Sequence, residues 1–283
     1  MADEPEIEGV AEVDPEITIY RNVTSLQQFA EAASLIAAEG ETIWFRGARD
    51  ATYDLKPGLF RHPDNKSSTE LLELEWQLLT DYRHQAPPFT TGMPASDLEL
   101  LFVMQHYRVP TRLLDWTENP FIALFFAMEN AREEKGGEEK DSAVWLIDPI
   151  KLNKKTFTNR RNADRVLGAY AGELDGIKPS PRADAIDINT PCALYGIHNT
   201  PRIVAQRGSF ILYGNDVSSM ELQKVLELGS DKILRKITFS PLQIMNFLLQ
   251  YLKLDFCILF LILSGELNGR LHHTHPSALT IVL

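Results

Sequence analysis

An α+β fold is what this sequence predicts, and three observations predict it. Strand-like and helix-like stretches alternate, but without the regular βαβ rhythm of a doubly wound sheet. No glycine-rich strand-to-helix turn is present. No internal repeat or low-complexity tract suggests a solenoid or a linker array. With 283 residues, 44% of them apolar, the chain has enough material for a sizeable core.

Residues 1–15 are acidic and lack the apolar stretch of a signal peptide, so they are expected to form a disordered tail. Residues 17–20 alternate and favour β-structure. Thr24 or Ser25 can cap a helix over 26–38, whose Leu26, Phe29, Ala33 and Ile36 recur at helical spacing before Gly40. Residues 42–47 read as a strand closed by glycine, and Pro57-Gly58 as a turn. Residues 69–82 form an amphipathic helix through Leu71, Leu74, Trp76, Leu78 and Leu79, which Pro87 and Pro88 break. Ser96 or Asp97 caps a helix over 98–107. Leu113 and Leu114 suggest a short buried strand. Asn119-Pro120 opens a helix over 121–132, apolar nearly all round and therefore central. Residues 133–141 are a charged loop. A strand follows over 143–147 and ends at Asp148-Pro149. Residues 159–189 are expected to be a long loop over the site, able to act as a lid. Two strand halves flank Arg207-Gly208, over 202–205 and 209–213. A helix is expected over 220–228 and a strand over 232–239.

Composition narrows the function. A formal net charge of −11 opposes a broad nucleic-acid-binding face, while a small basic pocket inside an acidic chain would suit a small anionic ligand. Cys192 and Cys257 are too few for a disulfide framework and read as core thiols of a reducing compartment, hence a cytoplasmic protein. The apolar run 256–263 falls short of the roughly 20 residues that span a bilayer, so no membrane segment is expected. His272, His273 and His275 have no second ligand cluster, and no metal site is expected. The chain thus divides into the tail 1–15, a domain over 16–255, and an atypical apolar, histidine-containing tail over 256–283.

Two segments carry chemistry. The first is Trp44-Phe45-Arg46-Gly47, followed by Tyr53, Leu55, Pro57 and Arg61. The planar fork of Arg46 suits a diphosphate or carboxylate, and Gly47 lets a ligand or another backbone come close. The structural alternative pairs Arg46 with a carboxylate such as Asp115. The second segment runs from Gln105 to Pro120. His106 has the chemistry of a general acid or base. Asp115 and Thr117 lie just ahead of a helix N-terminus, where anions are favoured. The structural alternative is capping by Thr117 or Asn119, with Asp115 neutralising Arg112.

These residues resemble the FRG domain family. The likeness is carried by Trp44-Phe45-Arg46-Gly47, by 55–59 reading LKPGL, by Gln105-His106-Tyr107 leading to 110–117 reading PTRLLDWT, and by 120–127 reading PFIALFFA. Gln206-Arg207-Gly208-Ser209-Phe210 is similar to a late segment of that family. Arg108 stands where the family usually has glycine, and the residues after Asp255 do not read as its usual ending.

A more distant resemblance is to ADP-ribosyltransferases, in the order of Arg46, then 114–117, then 120–127. It implies a mixed or antiparallel split sheet with packed helices, an ADP-ribosyltransferase-like core. It also implies NAD as a substrate, with Arg46 and Gly47 at its phosphates or ribose and Thr117 bracing the site. Trp116 or Tyr107 would stack on a ring, and Arg112 would add a cationic donor. The late glutamate of such enzymes has no counterpart in 202–206, so Asp115 or Glu118 would supply the missing charge and Gln206 would touch ribose. His106, Asp115 and Gln206 are therefore the catalytic candidates, with a protein as acceptor. The alternative is a non-catalytic module that binds a nucleotide or other anion.

Overall fold

The computed structural model describes residues 10–13, 18–20, 23–38, 42–89, 94, 96–128, 140–158, 164–196, 208–219, 233–243 and 246–247. Its strands are β1 (Val10–Val13), β2 (Thr18–Tyr20), β3 (Trp44–Ala48), β4 (Leu113–Thr117), β5 (Ser142–Ile147), β6 (Leu167–Gly168), β7 (Cys192–Tyr195), β8 (Gly208–Leu212) and β9 (Leu234–Phe239). Its helices are α1 (Leu26–Ala38), α2 (Ser68–Gln85), α3 (Asp97–His106), α4 (Pro120–Met128) and α5 (Pro149–Thr156).

The class is α+β, built on one mixed sheet in the order β1-β2-β9-β5-β3-β4-β8-β7-β6. The β2–β9 and β6–β7 pairs are parallel, and the other neighbours are antiparallel. The sheet nearly parts in its middle. Strand β3 pairs with β5 along its whole length but meets β4 only at Phe45↔Thr117. That parting positions the site.

Side-chain alternation sorts the core into layers. Phe45, Val144, Leu146 and Ile237 face α1 and α4, where Phe29, Ile36, Ala123 and Leu124 complete one cluster. Leu113, Phe210 and Leu212 face α3, with Leu98, Leu101 and Phe102. On the opposite face, Trp44, Leu114, Trp116 and Trp145 are covered by Leu55, Leu59, Phe60 and Leu71. Capping boxes fix the starts of α2 (Ser67 with Glu70) and α3 (Ser96 with Glu99), satisfying amide groups that a helix start leaves open. Ser25 accepts from the Gln28 N–H at 3.1 Å and caps α1.

Several sequence expectations change. Val10–Val13 was expected to be disordered but pairs with β2 as a strand. Asp148-Pro149 ends β5 and also starts α5: the Asp148 carboxylate accepts from the Ile150 and Lys151 N–H groups, with proline at the first helical position. The stretch 164–189 is not simply a loop. It contributes β6 and buries Leu167, Leu174, Ile177 and Ile186. The strand expected over 202–205, the helix over 220–228, and the tail from 256 lie outside the described residues. So do residues 129–132, which were expected to extend α4. Among the described residues no helix is long and apolar enough to cross a membrane.

A pinned turn follows β3. Asp50 Oδ1 accepts from the Thr52 N–H and hydroxyl at 2.8 and 2.6 Å, and Lys140 donates to Oδ2 at 2.7 Å. Burial alone would raise the Asp50 pKa, but these bonds outweigh it and hold the carboxyl down to about 2. Its contribution to stability is therefore complete above the unfolded aspartate range and is lost as pH falls through the folded value. Screening around half-exposed Lys140 reduces that contribution to about 1–2 kcal/mol. Urea unfolding of Asp50→Asn between pH 5 and pH 2.5 is expected to show a shallower acid loss than wild type. Identical slopes would mean that Asp50 is not held down.

Candidate functional site

A cavity of about 590 Å³ opens where β3 and β4 diverge. One side comes from α3 and the turn after it, one from α4, and one from the stretch between Tyr53 and Arg61. Its size is that of a site for a small organic ligand. Among the described residues, Arg46, Arg49, Arg61, Arg108 and His106 line it, against two carboxylates, Asp54 and Asp115. A chain of net charge −11 thus encloses a cationic cleft.

Arg46 anchors it. Its Nη1 donates to the Asp115 backbone carbonyl at 2.5 Å, which fixes the guanidinium across the gap between the strands. Burial lowers the Arg46 pKa, Asp115 opposes that shift, and neighbouring Arg61 lowers it further. Arg61 is itself held by a 2.8 Å bond from its Nε to the Lys56 carbonyl. Arg46 and Arg61 line the same cavity, and two like charges there favour an anion between them.

Asp115 is positioned by a short relay. The Thr111 hydroxyl accepts from the Leu113 N–H at 3.1 Å and donates to Gln105 Oε1 at 2.7 Å. Gln105 Nε2 then donates to Asp115 Oδ2 at 2.7 Å. The carboxylate therefore bonds Gln105 rather than His106 or Arg112. Glu118, the other candidate for a negative charge, accepts from the Tyr195 hydroxyl at 3.1 Å and is not among the lining residues. Burial and Glu118 push the Tyr195 pKa up to about 12, so this phenol stays a donor.

The sequence model of the FRG domain family matches residues 41–136. This chain carries an FRG domain. Of the described residues that line the cleft, only Phe210 falls outside that stretch, so the FRG domain supplies nearly all of the described lining. No curated protein and no solved structure matches the chain.

Within the FRG domain, Arg46, Gly47, His106, Asp115, Trp116 and Thr117 do come together around the cleft. Two other candidates stand elsewhere. Arg112 is fully buried and bonds Glu75, Tyr213 and Ile177, so it braces the core instead of facing ligand. Tyr107 is 56% exposed at the end of α3, beside Tyr82, and does not line the cavity. Gln206 lies outside the described residues.

Gly47 has a packing role. A Cβ there would sit 2.0 Å from the Ala123 carbonyl oxygen and 2.5 Å from the Ala127 nitrogen. The close approach foreseen for this glycine is to the backbone of α4. Thr117 accepts from the Asn119 N–H at 3.1 Å, and Asn119 Oδ1 accepts from the Phe121 N–H at 2.9 Å, which starts α4. Trp116 is 3% exposed, and its Nε1–H has no partner among the described residues. Cys192 is buried, and burial pushes its thiol up to about 12 despite Arg112, so it is an inert core group.

Sequence reasoning passed over Arg49 as a cleft residue and left Arg61 without a role, while it read Arg108 as altering the turn or adding a positive charge at the site mouth. Arg108 had a readable signal. It stands just past a helix, where the closing turn calls for left-handed backbone, and its φ is +63°. That conformation costs a non-glycine residue roughly 1 kcal/mol or more.

Proposed function

We propose that the FRG domain binds NAD in this cleft and breaks its nicotinamide–ribose bond, passing ADP-ribose to water or to a protein acceptor in the cytoplasm. The observation that carries this reading is that Arg46 and Arg61 both line one partly open cleft of about 590 Å³, a volume that admits a nucleotide. A diphosphate matches two guanidinium forks in charge and geometry.

In the reaction, nicotinamide leaves with the electron pair of the broken C–N bond, and positive charge develops on the ribose. Asp115, fixed by Gln105, offers the negative charge that stabilises it. His106 accepts the proton of the attacking water or acceptor group. Gln206 would hydrogen-bond a ribose hydroxyl, and Trp116 and Thr117 form the wall against which the ligand rests.

A second reading, binding without turnover, is favoured by one observation. Gln105 already occupies one oxygen of Asp115, the carboxylate that acts on Arg46.

Purified protein incubated with NAD, alone and with lysate, separates the two through nicotinamide release and label transfer. Arg46→Ala is expected to weaken NAD binding by about 10- to 100-fold, or 1.5–3 kcal/mol. Asp115→Ala is expected to lower turnover about 100-fold. Full turnover in Arg46→Ala would sink the enzymatic reading. Arg46-dependent protection of the wild type by NAD, without product, would establish the binding module.

A further inference from the structure

The cleft passes through the plane of the sheet. Past the pair Phe45↔Thr117 the strands β3 and β4 separate, and the cavity between them is lined from both faces. Alternation along each strand assigns the faces. Phe45 and Gly47 turn toward α4, so Arg46 between them turns to the opposite face. Arg61 comes from that same side, following Leu59 and Phe60 of the cluster that covers it. Leu114 and Trp116 also belong to that cluster, so Asp115 between them turns to the helix face.

The helix face carries a different chemistry. Asp115 and Phe210 are direct partners in the β4–β8 ladder, so their side chains stand side by side. The Phe210 ring packs on Phe102 of α3, with centroids 4.8 Å apart at 49°. Gln105, one turn along α3 from Phe102, donates to the Asp115 carboxylate at 2.7 Å. Across the parting, α4 lies directly on Gly47: a Cβ there would be 3.0 Å from the Phe126 carbonyl carbon. Phe126 is half-buried and lines the cavity. Three phenyl side chains thus line the half of the cleft that holds the carboxylate.

We infer that the ligand threads the parting between β3 and β4, with its phosphates on Arg46 and Arg61 and its nicotinamide ring on the other face, against Phe102, Phe126 and Phe210. This rests on the NAD reading above and deepens it. In that reading Asp115 stabilises the charge that develops on the ribose carbon losing nicotinamide, so the leaving ring belongs on the side where the carboxylate stands. Apolar aromatic walls receive a flat ring through offset and edge contacts. The adenine then lies beyond the phosphates, outside this subsite.

Equilibrium binding of two ligands to the full chain tests the assignment. ADP-ribose keeps the adenine and both phosphates but lacks the ring. In carba-NAD a methylene replaces the ribose ring oxygen next to the nicotinamide, so the ring stays attached during the measurement. Wild type is expected to bind carba-NAD about tenfold more tightly than ADP-ribose. Phe126→Ala and Phe210→Leu are each expected to erase most of that advantage while leaving the affinity for ADP-ribose unchanged. The first removes a half-buried ring and the second keeps most of the volume of a buried one, so both variants are expected to fold, which thermal unfolding checks. Equal affinities in wild type, or an advantage that survives in either variant, would overturn the inference while leaving ADP-ribose binding, and with it the nucleotide reading, intact. An equal loss of both ligands in a folded variant would put the adenine on the phenylalanines and overturn it as well. If wild type bound neither ligand, the nucleotide reading would fail and this inference with it.

Discussion

Replacing Glu75 with alanine is expected to destabilise the protein by about 3–5 kcal/mol, a large part of the stability of an ordinary domain. Glu75 and Arg112 are 1% and 0% exposed and meet at 2.7 Å. Glu75 also accepts from the Arg112 backbone N–H at 3.2 Å. The other two arms of Arg112 donate to the Tyr213 and Ile177 carbonyls at 2.7 and 2.9 Å. One guanidinium thus ties α2 to the start of β4, the end of β8 and the stretch after β6. Removing the carboxylate leaves a cation in the core with no countercharge, and desolvation then acts unopposed. Urea unfolding measures the effect, and a loss below about 1 kcal/mol would show that the pair is not the brace described here. A double replacement, Glu75→Leu with Arg112→Met, is expected to recover most of the loss, because a packed apolar pair carries no desolvation penalty. Arg112 immediately precedes the strand that carries Asp115, so the single variant should also loosen the cleft.

What the sequence disclosed was local. Asn119-Pro120 followed by an unbroken apolar stretch announces a buried helix, and α4 begins there because capping and proline geometry act over three or four residues. The strands at 44–48 and 142–147 were legible because their composition and closing residues favour β-structure whatever they pack against. Helix α5 was not read, since its lysines and asparagine leave little apolar stripe, although Asp148-Pro149 is a start signal as well as a stop. The partners of charged residues were the least legible feature. Asp115 is the nearest acid in sequence to Arg112, yet Arg112 pairs with Glu75, 37 positions away, because the fold places it on the inside. Arg46 and Asp115 do meet, but through a backbone carbonyl, which no pattern of side chains encodes. The candidate site was therefore legible as two segments. Which face each residue presents was set only when β3 and β4 came together.

Gly47→Ala is expected to cost about 3 kcal/mol or more, at or above the usual range for overpacking. The argument is steric rather than conformational, because Gly47 is not among the residues with positive φ. A Cβ at 2.0 Å from the Ala123 carbonyl oxygen, 2.5 Å from the Ala127 nitrogen and 3.0 Å from the Phe126 carbonyl carbon collides with backbone, which cannot rotate away as a side chain can. Strand β3 and helix α4 would have to separate, and Phe45, Ala123 and Leu124 would lose contact in the same cluster. Arg46 precedes this glycine, so the separation would also shift its guanidinium from the Asp115 carbonyl. Loss of ligand binding should accompany loss of stability. Gly172→Ala is the control, since nothing lies within 4 Å of its added Cβ, and its effect should stay within about 0.5 kcal/mol. If Gly47→Ala unfolded at the wild-type urea concentration but failed to bind ligand, the glycine would be needed by the ligand after all, and the helix contact would be incidental.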